Sequence, residues 1–387
     1  MSAQHLLPSN ATPIEMALSE ALDRDGVLGP PIDAIAGWRF DRPLPDGFGP
    51  WLVNDLTLGT IRAFFQTDEA CIDAGWPWLQ IRGTVQAVED ALGWIEYGTV
   101  TVEPPVNGRR KWNRWQMAMG ELPTGMDGLP LETDRLLDAE YLASLSDPAR
   151  AIFWRGHHGY DVRALVWGDG RWGDTIWGDD SGVRLEDGQT KWSHGRDHGP
   201  FEATADAATR TALGLDDFAA GTIGWTTPLT WSQLAGITWA PPTAEQIAGL
   251  LATVVSGFPI YVGFFDADGD LIGARRAIER KAAATFDGAP VPGDQTVLEI
   301  TCRTGFGDGA GQTAASLAVL FDVRSANGPG DLWVAPDDLV PPDGQTLADV
   351  TVGGWPLNIP DPPDQGPTGL AFTHTIREHI TARVRLL

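Results

Sequence analysis

Several stretches of this 387-residue chain space polar side chains as chemistry would. DADGD places Asp266, Asp268 and Asp270 at the first three ligand positions of a calcium loop. Such a loop also needs a glycine at its sixth position and a bidentate glutamate at its twelfth. Those positions hold Leu271 and Ala277, so a hairpin turn is expected instead. GFGDGAGQT, residues 305–313, spaces its glycines as G-x-G-x-G-x-G. That meets neither the dinucleotide pattern nor the phosphate loop with its lysine, and it reads as a β connection.

Histidines pair as His157-His158 and as His194 with His198, a spacing that would align two zinc ligands on a helix. The segment SHGRDHGP has loop composition, and no cysteine lies nearby. His374 and His379 stand one residue too far apart for a zinc-protease helix. No G-x-S-x-G elbow occurs, and Cys71 and Cys302 carry no catalytic signature. Carboxylates are too numerous for a glycosidase pair to stand out. The sequence therefore predicts no catalytic residue, no metal and no cofactor.

Tryptophan is the other conspicuous side chain. In WGDGRWGDTIWGDD, Trp167, Trp172 and Trp177 recur every five residues. With Trp154 and Trp192 they could line a glycan groove. On a helix this spacing gives no common face, and on a strand Trp172 opposes the other two. The Gly-Asp pairs favour tight turns. The expectation is a compact β-turn region in which these rings are anchors, used in partner binding.

Composition narrows the partners. The formal net charge is −25, from 52 acidic and 27 basic residues. Such a surface repels phosphate backbones and anionic membranes, so neither nucleic acid nor membrane is expected. Two distant cysteines suit a chain made in a reducing cytosol. Residues 1–13 lack a signal peptide's basic and apolar regions.

The elements that would position these residues fall into an α+β fold with three parts. Residues 1–122 read as N-terminal helices with a small β-hairpin. Thr12, Pro13 and Glu15 form a helix start with a capping box. Ile14, Leu18 and Leu22 then make one apolar stripe. So short a helix needs something to pack on, either its own domain or another subunit. Further helices are expected over 60–74 and 82–94, the latter burying Val85, Val88, Ala91 and Leu92. The strands 97–103 and 112–120 form the hairpin. Residues 123–224 hold a helix ending at Pro148, with Asp147 as a second helix cap, and then the Trp/Gly-rich β-turn region. Residues 225–387 read as a β-sandwich-like domain closed by FTHTIREHITARVRLL, as a strand or a short amphipathic helix.

LLPSNATPIEMALSEALDR, GPWLVNDLTL, IRGTVQAVEDALGW and GTVTVEPP together resemble the phage tail protein I family over residues 6–120. The Trp- and Asp-rich segment usual in that family is degraded here to DAGWPWLQ. The resemblance implies a structural protein, a baseplate wedge component of contractile phage tails and tail-like particles. It implies a helix, carrying Ile14, Leu18 and Leu22, that enters a bundle with two copies of a larger wedge protein. It also implies other baseplate proteins and a tail fibre or its adaptor as partners, assembly in the host cytoplasm, and a place in the virion tail. The reading from a different class is a carbohydrate-binding or glycan-cleaving tail protein.

Overall fold

The structure, a computed structural model, describes residues 11–22, 42–97, 100–104, 112–122, 133–165, 175–176, 179–185, 189–213, 259–293, 295–321, 333–336, 339, 351–357 and 369–386. Contact density divides the chain into Met1–Arg82 and Gly83–Leu387.

In the first unit, α1 (Pro13–Leu22) starts at a closed capping box. The Thr12 N–H and hydroxyl donate to the Glu15 carboxylate at 2.7 and 2.8 Å. The Glu15 N–H returns to Thr12 Oγ1 at 3.3 Å. After α2 (Gly49–Asp55) come two 3₁₀ turns, Leu58–Thr60 and Arg62–Phe64, where one continuous helix over 60–74 was expected. The helix α3 runs instead over Asp68–Ile81. Thr67 sets its start, its hydroxyl accepting from Ala70 N–H at 3.1 Å. A Cβ at Gly75 would lie 2.7 Å from a Leu58 methyl and 2.9 Å from an Ile61 methyl. Glycine therefore lets α3 close onto the turn that carries those residues. Leu52, Leu58, Ile61, Cys71, Ile72 and Trp78 are buried.

The second unit opens with α4 (Val85–Gly93), capped by Thr84. Ala87, Val88, Ala91 and Leu92 are buried as the periodicity requires. Val85 shares that face but stands at the first helical position, and it is 51% exposed instead of inward. Strands β1 (Val100–Glu103) and β2 (Arg114–Met119) pair antiparallel, Val100 opposite Met119. Helix α5 (Thr133–Ser146) then connects β2 to β3 (Ile152–His158), which pairs with β2 in parallel and so needs such a crossover. Asp147 caps no second helix, because the chain passes from Ser146 through a turn directly into β3. Its carboxylate accepts Trp115 Nε1–H at 3.1 Å.

Short strands follow, β4 (Arg163–Ala164), β5 (Thr175–Ile176) and β6 (Val183–Arg184), then β7 (Lys191–Thr204) and α6 (Ala207–Ala212). β7 contains SHGRDHGP, expected as a loop. It is extended because β3 and the last strand of the chain both pair with it, supplying its ladder whatever its propensity. The rest is β8 (Ile260–Phe265), β9 (Leu271–Arg276), β10 (Glu279–Ala282), β11 (Thr285–Phe286), β12 (Ala289–Pro290), β13 (Val297–Arg303), β14 (Thr313–Ala314), β15 (Ser316–Phe321), β16 (Trp333–Val334), β17 (Thr351–Pro356), β18 (Leu370–Ala371) and β19 (Ile376–Arg385).

One mixed sheet of eight strands has the order β1-β2-β3-β7-β19-β13-β10, with β6 also on β7. A second has five, β16-β9-β8-β15-β17. One apolar cluster joins them, with Val262 and Phe264 of β8, Val319 of β15, Ile300 of β13, and Ile380 and Val384 of β19. The fold is α+β with a sheet-rich C-terminal region. The hairpin β1–β2 is the end of the large sheet, and that sheet draws strands from each of the segments 1–122, 123–224 and 225–387. Among the described residues no helix is long and apolar enough to cross a membrane.

Candidate functional site

The side chains expected to bind partners fall into two groups. Trp167, Trp172 and Trp177 lie outside the described residues. Ile14, Leu18 and Leu22 stand on α1, one helical face apart by four, and are 80%, 58% and 64% exposed. None of the ten residues of α1 is buried. A helix this short is marginal in water without a surface to pack on. Its end is nevertheless well made, and the hydrogen bonds from Thr12 hold the Glu15 carboxyl below its usual range. The helix thus combines a defined start with an uncovered apolar stripe.

The histidine pairs do not converge as metal ligands. His158 Nδ1 lies 2.7 Å from the Met119 carbonyl, and His157 Nε2 lies 3.4 Å from Glu103. His194 Nδ1 meets the Thr375 hydroxyl at 3.2 Å, and burial pushes its pKa down to about 3. His198 Nε2 meets Glu378 at 2.8 Å, and His379 Nδ1 meets Asp197 at 2.7 Å. Among the described residues no group of histidine, cysteine and carboxylate side chains is arranged to hold a metal ion. DADGD is a hairpin turn, with Asp266 Oδ1 accepting from the Asp268 and Asp270 N–H groups at 3.0 and 2.8 Å. The glycine run at 305–313 forms turns between β13 and β14.

Two polar clusters escaped the sequence reading. In the first, Arg155 on β3 has no exposed surface, pairs with Asp161, and reaches Ser181 Oγ at 3.1 Å. Arg163 bridges Asp161 and Glu103, at 2.5 and 3.2 Å. Burial raises both carboxyls, but hydrogen bonds outweigh it, from Arg163 to Asp161 and from Gln116, His157 and Arg163 to Glu103. Both are thereby held below the usual carboxylate range. In the second cluster, Glu378 is 1% exposed and takes two bonds from Arg196 and one from His198. The available signal was a charged residue at an inward position of an alternating strand.

Residues 7–137 match the model of the phage tail protein family Tail_P2_I. The match runs from before α1 into the start of α5. No curated protein and no solved structure matches the chain.

Proposed function

We propose that this chain, a phage tail protein over residues 7–137, is a structural component of the baseplate wedge of a contractile tail. Helix α1 joins it to two copies of a larger wedge protein, and the outer part of the chain contacts a tail fibre or its adaptor. Assembly takes place in the host cytoplasm, and the finished site is the virion baseplate. The role is mechanical. Buried interfaces hold one assembled state, and partner engagement shifts the balance to another.

The observation that carries this reading is the capped, wholly uncovered α1 lying within the family match. Stability of the isolated chain gives no reason for an apolar stripe on a helix that buries nothing. A helical bundle does, since residues spaced by three and four supply one packing seam. A glycan-binding role draws less support. Of the five tryptophans that could line a groove, Trp154 and Trp192 are buried at 7% and 0% exposure.

The test is co-expression with the other baseplate proteins of the same tail. Wild-type chain should co-purify with the larger wedge protein, and Leu18→Asp should not, while remaining folded. Co-purification undiminished by Leu18→Asp would refute the role assigned to α1. Selective binding on a glycan array, with no wedge association, would favour the carbohydrate reading.

A further inference from the structure

Near the start of β2 and β3, three cations converge on one indole. Arg114 Cζ lies 4.0 Å from the Trp154 ring centroid, Arg184 Cζ 5.1 Å and Lys191 Nζ 5.5 Å. Register explains the grouping. Arg114 pairs with Ile152 across β2 and β3, and Arg184 pairs with Lys191 across β6 and β7. Lys191 is compensated, with Asp179 Oδ2 at 3.0 Å. Asp180 is committed elsewhere, accepting from Trp154 Nε1–H at 3.3 Å and Ala164 N–H at 3.0 Å. Among the described residues, neither Arg114 nor Arg184 has a carboxylate in ion-pair reach.

Arg377 and Arg385 also stack on aromatic rings, while other arginines take carboxylates. Acidic residues outnumber basic ones by 52 to 27, and Arg155, Arg163, Arg196, Arg275 and Arg383 each hold a carboxylate. Two guanidinium groups left together on one ring repel each other, a cost that an incoming carboxylate would reverse. Stacking on the indole already restricts them, so less freedom is lost on binding. Apolar surface adjoins the charges. Ile152 is 49% exposed, and Trp112, two residues before Arg114, is 70% exposed.

We propose that Arg114, Arg184 and the Trp154 platform form a docking surface for an acidic peptide segment of another protein, one that places carboxylates on the arginines and an apolar side chain on Ile152. A short segment fits better than an extended polyanion. Duplex DNA or an anionic bilayer spans many Debye lengths and would meet the field of a chain with net charge −25, whereas a peptide confined to the patch would be screened from most of it.

The experiment is fluorescence anisotropy on the full chain, using a short fluorescein-labelled peptide rich in glutamate with one leucine, and its glutamine counterpart. The glutamate peptide should bind roughly tenfold or more tightly than the glutamine one, and lose that margin in high salt. Arg114→Gln with Arg184→Gln should abolish the difference. Arg114→Lys with Arg184→Lys, which keeps the charge, should retain part of it, and Arg303→Gln at an exposed site elsewhere should leave it unchanged. If the glutamine pair fails to fold, the lysine pair and the salt titration decide. Equal binding of the two peptides, affinity insensitive to salt, a difference that survives in the folded glutamine pair, or tighter binding of duplex DNA or phosphatidylglycerol vesicles would overturn the proposal.

Discussion

Arg196 and Glu378, 182 residues apart in the chain, meet as a forked ion pair across the parallel strands β7 and β19. Nε–Oε2 is 3.0 Å and Nη2–Oε1 is 2.7 Å, and His198 adds a third bond at 2.8 Å. On β19 every second residue is buried, and Glu378 is the charged member of that inner row. Its burial is tolerated because its partners come from the adjacent strand. Removing the charge would strand Arg196, so Glu378→Ala should destabilise residues 83–387 by about 3–5 kcal/mol. Denaturant unfolding monitored by tryptophan fluorescence measures this, and a change below about 1 kcal/mol, the level of an exposed surface pair, would contradict it.

The same strand makes a truncation prediction. β19 lies between β7 and β13, so its loss would open the large sheet in its middle and expose two unpaired edges. A chain ending before Ile376 should be insoluble or lack cooperative unfolding. A truncated chain that melts like the full one would show that β19 is dispensable.

Acid should weaken the second unit over a defined window. Burial raises the Glu378 carboxyl, but hydrogen bonding from His198 and the charge of Arg196 outweigh it and hold the group low. A depressed carboxyl contributes stability above its unfolded pKa and loses it as pH falls through the folded one. His194, pushed from 6.5 to about 3 by burial, acts in the same direction, since its folded form binds its proton later than the unfolded chain does. Melting temperature should therefore begin to fall below about pH 6.5 and keep falling toward pH 3. His194→Gln should remove the upper part of that slope. A flat profile across this window would be the contrary result.

Gly156 on β3 is a packing requirement. A Cβ there would lie 2.4 Å from Cζ3 of Trp192, which is fully buried against Phe153. Gly156→Ala should cost about 1–3 kcal/mol through forced repacking. Thermal unfolding, with near-ultraviolet circular dichroism reporting on the tryptophan environment, provides the check. An unchanged melting temperature would mean the ring moves freely.

How much of this was legible depended on whether the signal was local. The α1 cap needs only Thr12 and Glu15, and it formed as their spacing requires. The Asp266 turn is equally local. β7 was not legible, because glycine, histidine, aspartate and proline argue against a strand, and its pairing partners lie far away in sequence. β19 stood between two readings because Glu378 interrupts its apolar alternation, and only Arg196 and His198 explain an inward charge. Arg155 was missed for the same reason. The uncovered face of α1 was readable as a stripe, and its covering by a partner chain is part of the proposal. Trp167, Trp172 and Trp177 fall outside the described residues, and their role as anchors remains a proposal.

The most direct test of the central claim is amide hydrogen exchange over Pro13–Leu22, in the free chain and in assembled tails. The account predicts rapid exchange in the free chain, where α1 buries nothing, and strong protection once its apolar stripe is packed in the wedge. Protection already present in the free chain, or exchange equally rapid in assembled particles, would contradict it.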